Sequence, residues 1–541
     1  MSDMFENLMK RSWILQLYIT AATTFRNLIS HSPVSRKWCV ALLVLMFMYC
    51  SGVVFFYHFF PDHSFFYFPL LVLLAFAVIG LLFFVLLKAN LYRNGDRNTM
   101  PSAWIIFTII VILHFLCYLL TQRYDFSIRT DVRNQWGCIV TQQFNDWHPL
   151  LHTCMLWFVY WLTGSVIWTI FLFQTAFAMC CAWLYHTLNI YHYRSGIIWG
   201  TVILIGASPL MFCMLGFLDK DVPFAIAAFG CMISLIHIWH TKGSWLCRIR
   251  NFLGFILLLL ITALLRHNGI FFIIPLLVLL PLIIASQYRK RCFVLIGIAA
   301  ICLLGHVWIR DILLQKHVIE HRWGESVSQT YLETIGVPMA VMIEVYLNAP
   351  DKMEPETIAF FDSIASREYY GKYFDGTYNS IKFKKSSEIR NVLQHLLPSK
   401  FIKMFVHTLC KAPGFSLRAI QYETYLGFAP LQHNDAHFLY GDISSLKINS
   451  LCVTFMIRHI VAQPGMMMLL LVIFGSFGFL RHGWKILPVV IPLFAYGFGT
   501  SLLLCGWDFR FFYILFLCTP IALLLCCDNL QCKEEELTSE R

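Results

Sequence analysis

Apolar residues come in this chain as blocks of about 20, the length a helix needs to cross the hydrocarbon core of a bilayer. That feature leaves few folds open. The blocks do not alternate apolar with polar residues, which excludes a porin-type barrel, and the composition fits neither collagen, a coiled coil nor a disordered chain. Over 541 residues, 58% are hydrophobic and only 13% charged, against about 25% charged in a soluble domain. A soluble enzyme is excluded, and the expected class is an all-α polytopic membrane protein. Twelve candidate spans follow from the blocks, near 38–60, 65–87, 103–120, 165–186, 197–218, 222–240, 252–265, 270–285, 292–309, 466–480, 486–506 and 511–527.

Charge placement predicts the topology. The net charge is +11, yet residues 310–461 hold 16 basic and 15 acidic side chains, leaving 25 basic and 15 acidic elsewhere. The excess therefore sits among the apolar blocks, as the positive-inside rule requires, and argues against a nucleic-acid partner. Loops after even-numbered spans carry Lys88, Arg93 and Arg97, Arg194, Lys242 and Arg248, Arg289 to Arg291, and Arg481 and Lys485. These loops and both termini are expected in the cytoplasm, and residues 121–164 and 310–465 outside.

The organisation read from this is a cytoplasmic N-terminal segment 1–37, a bundle of nine spans over 38–309 with an outer loop 121–164, a mainly helical extracytoplasmic domain 310–465, spans 466–527 and a cytoplasmic tail 528–541. Residues 4–28 read equally as an amphipathic helix on the inner surface or as a disordered tail. Residues 1–37 show no removable signal. The 19 cysteines lack metal spacing and imply no disulfide framework.

Ionisable groups at a membrane face are expensive and mark functional candidates. Four clusters fall on the outer face. The first holds Asp131, Arg133 and Gln135, then Asp146, His148, Pro149, His152 and Thr153, with a short apolar helix over 149–164 expected along the membrane surface. Asp131 and Asp146 either face a groove or merely pair with Arg133 or cap helices. The second is Asp219-Lys220-Asp221 before Pro223; one acid caps a helix, and the other is surplus. The third is Arg266-His267-Asn268-Gly269, in which Asn268 and Gly269 suit a turn but Arg266 calls for an anionic partner. The fourth, Asp508-Phe509-Arg510, is either a local ion pair or part of the same site. No Walker loop, zincin motif or nucleophile elbow is present. The signal is convergence on one rim, since no single cluster is specific.

These residues, Asp131 to Gln135, Asp146-Trp147-His148-Pro149, Lys220-Asp221, Arg266 to Gly269 and Asp508 to Arg510, together with the span layout, resemble the GT-C superfamily of integral-membrane glycosyltransferases, in an uncharacterised bacterial branch. The resemblance covers roughly residues 100–527, with spans one and two as an added hairpin. It implies a GT-C-like bundle in a bacterial inner membrane and inverting transfer of a sugar from a polyprenyl-phosphate-linked donor to a glycan, lipid or protein acceptor. It further implies Asp131 as general base, Asp146 and His148 orienting acceptor or sugar, and Lys220 and Arg266 stabilising the leaving phosphate, with Gln135, Asp221, Asn268 and Arg510 completing the substrate site. No cofactor is required. A divalent ion, Mg²⁺ or Mn²⁺, could join phosphate with Asp146 or Asp221, although a Lys-Asp pair stands where metal-dependent members carry acidic pairs. A transporter or flippase also has about twelve spans, but would place its ionisable groups near the midplane; a polysaccharide polymerase is the third class.

Overall fold

The computed structural model describes residues 12–58, 67–92, 101–121, 130–145, 148–316, 319–320, 329–430, 463–503 and 509–528. Most of these residues are helical; strand pairing among them is limited to Phe144–Asn145 parallel to Ile319–Glu320 and a single antiparallel bridge between Tyr92 and Tyr193. In chain order, the first group is α1 (Ser12–His31), α2 (Arg36–His58), α3 (Tyr67–Lys88), α4 (Ala103–Thr121), α5 (Thr130–Thr141), α6 (Leu150–Thr163), α7 (Trp168–Ile190), α8 (Ser195–Gly206), α9 (Pro209–Met214), α10 (Asp221–Thr241), α11 (Ile249–Leu265), α12 (Ile270–Leu279) and α13 (Arg289–Gln315). Then come α14 (Gln329–Thr334), α15 (Gly336–Asn348), α16 (Pro355–Ile364), α17 (Arg367–Tyr373), α18 (Asn379–Leu393), α19 (Pro398–Lys411) and α20 (Pro413–Phe428). The chain closes with α21 (Pro464–His482), α22 (Leu487–Leu503) and α23 (Tyr513–Cys527).

Within the described residues, each of the twelve expected apolar blocks is largely helical. Seven helical stretches among the described residues are long and apolar enough to cross a membrane; the segments at 103–119, 195–206, 249–265 and 267–282 are apolar but shorter. Their brevity has local causes. Pro209 disfavours helical geometry at Ser208 before it, so the block at 197–218 is two helices broken at Ala207 (φ −114°). The turn at Arg266 to Gly269 separates α11 from α12, and Leu280–Leu282 around Pro281 tightens into a 3₁₀ turn.

α10 is the centre of the bundle, with every residue from Asp221 to Trp239 buried. Lys242 and Gly243, both at positive φ, stop it. Around it pack α7, α11 and α23, while α2, α3 and α4 turn large apolar side chains such as Leu45, Leu70 and Trp104 outward. α1 is a helix, so its residues 12–28 follow the helical alternative for the N-terminal segment, but it does not lie across the bundle end. It runs lengthwise on α3, with Tyr18 against Leu73 and Phe76, Ala21 against Gly80 and Phe25 against Phe83. Gly80 permits that approach. Residues 1–11 lie outside the described residues.

Residues 329–412 build a second core around Met339, Ile343, Phe361, Tyr370 and Ile389. α20 ties it to the bundle. Ala419 packs with Val337 and Val341 of α15, whereas Leu426 and Phe428 belong to the bundle core. Thr424 and Gln421 also hydrogen-bond the end of α2, at the Tyr57 hydroxyl (2.6 Å) and the Phe56 carbonyl (2.6 Å). The backbone is tightest where α20 meets α21, because a Cβ at Gly465 would overlap the Ala429 carbonyl. Gly465→Ala should therefore destabilise the protein by about 1–3 kcal/mol, read as a lower melting temperature in detergent, while Gly254→Ala in the interior of α11, with no atom within 4 Å of its new methyl, should not lower it and gains up to about 1 kcal/mol of helix stability.

Candidate functional site

The polar site is built on the first turn of α10. Asp221 opens the helix, where the macrodipole favours an anion, and Lys220 and Asp219 precede it. Arg266 follows α11 in extended conformation (φ −153°, ψ 133°), which turns the chain back towards α10. Its guanidinium pairs with Asp221, with side chains 4% and 0% exposed, and lies over the Phe511 ring (4.7 Å). Gly269 is required by this close packing, since a Cβ would stand 2.8 Å from the Thr262 carbonyl and 3.0 Å from Phe224.

Arg510 joins the clusters. Its Nη2 lies 3.1 Å from Asp131 Oδ2, Nη1 3.4 Å from Asp219 Oδ1 and Nε 3.7 Å from Asp221 Oδ2. Lys220 Nζ donates to the same Asp131 oxygen at 3.2 Å and to His148 Nδ1 at 3.0 Å. An ammonium has no acceptor, so Nδ1 presents its lone pair and the His148 proton resides on Nε2. Three carboxylates (Asp131, Asp219, Asp221) thus face three cations (Lys220, Arg266, Arg510). Burial raises the Asp131 carboxyl, but the Lys220 and Arg510 charges outweigh it and hold it well below the usual carboxylate range. Burial lowers Lys220, and Asp131 opposes that.

Behind this cluster, Gln135 donates to Thr153 Oγ1 (2.9 Å) and accepts from His152 Nδ1 (3.1 Å), clamping α5 to α6. Burial, then the Lys220 charge, push the His152 imidazole down to about 3. Asn268 donates to Thr500 Oγ1 (3.0 Å) and the Tyr496 hydroxyl (3.3 Å), and that hydroxyl donates to the Phe511 carbonyl (2.8 Å), beside Arg510.

The structure therefore brings together Asp131, His148, Lys220, Asp221, Arg266 and Arg510. Gln135 and Asn268 support them from behind, buried and engaged with protein groups. Asp146 and Asp508 lie outside the described residues. Sequence reasoning placed His152 and Thr153 in the first cluster without a role, and left out Tyr496 and Thr500. Tyr496 and Thr500 carried a usable signal, a polar pair one helical turn apart in an apolar block; His152 sat four residues after His148 with nothing to separate a buried brace from a ligand.

Beside the cluster, α5 and α6 enclose a cleft of about 130 Å³ lined by Val132, Trp136, Leu156, Tyr160, Gly164, Ser165 and Val166. Asp131 and Gln135 share one face of α5, and Val132 and Trp136 the next, so α5 divides the charged cluster from an apolar, aromatic cleft. On α6, Trp157, Phe158, Trp161 and Leu162 are 51–71% exposed, the face expected of a helix lying in a membrane interface. Chemically, the assembly offers paired cations for an oxyanion and a carboxylate able to take a proton. No protein-family model matches the chain, and no curated protein matches it.

Two outcomes follow. Removing one member of a buried pair strands the other, so Asp221→Ala should lower stability by about 3–5 kcal/mol, whereas Asp221→Leu with Arg266→Met recovers most of it. Because the folded His152 lies below its ordinary 6.5, the unfolded chain takes up protons first, and stability falls as pH drops from 6.5 towards about 3. His152→Gln should make that decline shallower in melting temperatures taken from pH 7 to 5.

Proposed function

We propose that this chain is a polytopic membrane glycosyltransferase of GT-C type, its twelve apolar helical segments forming the bundle and the domain over residues 329–430 resting on its extracytoplasmic end. It takes a sugar from a polyprenyl-phosphate carrier in a bacterial inner membrane and passes it to a hydroxyl acceptor. The reading is carried by one observation: a single Asp131 oxygen is shared by Lys220 and Arg510 at 3.2 and 3.1 Å, putting a proton acceptor next to two cations suited to a phosphate.

The chemistry is a single displacement. The acceptor oxygen attacks the anomeric carbon, the bond from that carbon to the carrier phosphate breaks, the phosphate keeps the electron pair, and Asp131 takes the acceptor proton. The anomeric centre inverts. Before donor binding, Lys220 and Arg510 keep Asp131 a weak base. A donor phosphate bound against both cations takes up their remaining N–H donors, which stabilises the developing charge and lessens their hold on Asp131 as the acceptor arrives. Arg266, expected at the phosphate, is spent on Asp221 and positions the α10 terminus; Arg510 takes the role assigned to it. His148 holds Lys220 through Nδ1.

Purified protein given undecaprenyl-phosphate-linked sugars and candidate acceptors should turn over, and Asp131→Asn should reduce the rate by about 10²- to 10⁴-fold while carrier binding persists. Full turnover in that variant sinks the base assignment, and no binding of any polyprenyl-phosphate sugar sinks the transferase itself.

A further inference from the structure

The resemblance to GT-C enzymes raises a divalent metal, and the described residues around Asp131 do not fit one. Among the described residues no three His, Cys, Asp or Glu side chains are grouped to hold an ion. The position a metal would take between the carboxylate of Asp131 and the imidazole nitrogen of His148 is filled by protein. Carboxylate oxygen is the donor that Mg²⁺ and Mn²⁺ sites recruit, and neutral imidazole nitrogen ligates borderline divalent ions. Here both aim at one point, the Lys220 ammonium, at 3.2 and 3.0 Å, the spacing of hydrogen bonds to a cation and not of metal ligation.

Three further features fix the ammonium there. Lys220 immediately precedes α10, so its backbone is set by the buried helix. Its side chain is 13% exposed, leaving little room for water to solvate it in another position. Arg510 occupies a second approach to the same Asp131 oxygen, so an incoming divalent ion would meet two fixed positive charges.

We propose that Lys220 is the resident cation of this site, standing in place of a divalent metal, so that phosphate is met by protein cations alone and removal of the ammonium opens a metal site on Asp131 and His148. This deepens the transferase reading, by making the transfer independent of metal, but the geometry does not depend on it.

Manganese binding tests it without any turnover. Purified wild type, Lys220→Met and Lys220→Met with Asp131→Asn are titrated with Mn²⁺ in detergent and followed by electron paramagnetic resonance, with melting curves to verify folding. Wild type should take up no stoichiometric Mn²⁺. Lys220→Met should gain one ion per chain, bound on the order of tenfold or more tighter than to wild type, and the double variant should lose it. Should Lys220→Met not fold, Lys220→Gln keeps hydrogen-bond donors without the charge and carries the same expectation. A wild-type ion lost on Asp131→Asn overturns the proposal, as does a folded, uncharged variant that gains none. Failure of all sugar transfer would bear only on the transferase reading.

Discussion

The pairing of Asp221 with Arg266, both almost wholly out of contact with solvent, is the interaction on which the polar end of this protein depends. An isolated charge at that depth is untenable, and a pair persists only where its geometry is held on all sides. Here α10 holds the acid, the extended link after α11 holds the base, and the Phe511 ring covers the guanidinium. Once Asp221 is set, Lys220 and Asp219 are set with it, and Arg510 can reach three carboxylates at once.

α10 is anchored at its other end too. Trp239 donates its indole N–H to Asp528 (2.9 Å), and His240 lies 3.6 Å from the same oxygen. The last span is thereby fastened to the central helix at one end by Asp528 and at the other through Arg510. A helix buried over nineteen residues and tied at both ends cannot slide or rotate independently, which gives the charged cluster a rigid base. The second core is equally constrained, because α20 contributes to both cores along one continuous helix. α20 meets α22 close to the site, where Gly427 lies against Ser501 and Phe512.

Much of this could be read from the sequence. The apolar blocks became helices where expected, since twenty residues with almost no charge have few alternatives to satisfying their backbone internally. The clusters at 131–135, 148, 219–221, 266–269 and 510 converged, because charges excluded from the apolar interior gather at its ends. The break at Ala207 was readable from Pro209 but outweighed by the hydrophobicity around it. The lengthwise course of α1 was not readable, because it follows from a Gly80–Ala21 contact across nearly sixty residues of chain. The supporting pair Tyr496 and Thr500 was overlooked for a related reason: their polarity is modest, and their importance lies in holding Asn268 and the Phe511 backbone.

The sequence by itself determined that the described chain is mainly helical, roughly where its apolar segments lie, and which few ionisable residues share one end of the bundle. Those outcomes follow from local periodicity and from the free-energy penalty of placing charge among apolar groups, which need no knowledge of neighbours. Only the tertiary structure decided which cation meets which carboxylate. Ion pairs depend on separations of about 3–4 Å, and with three acids and three bases in one cluster, small differences in backbone position gave Arg266 to Asp221 and left Lys220 and Arg510 on Asp131.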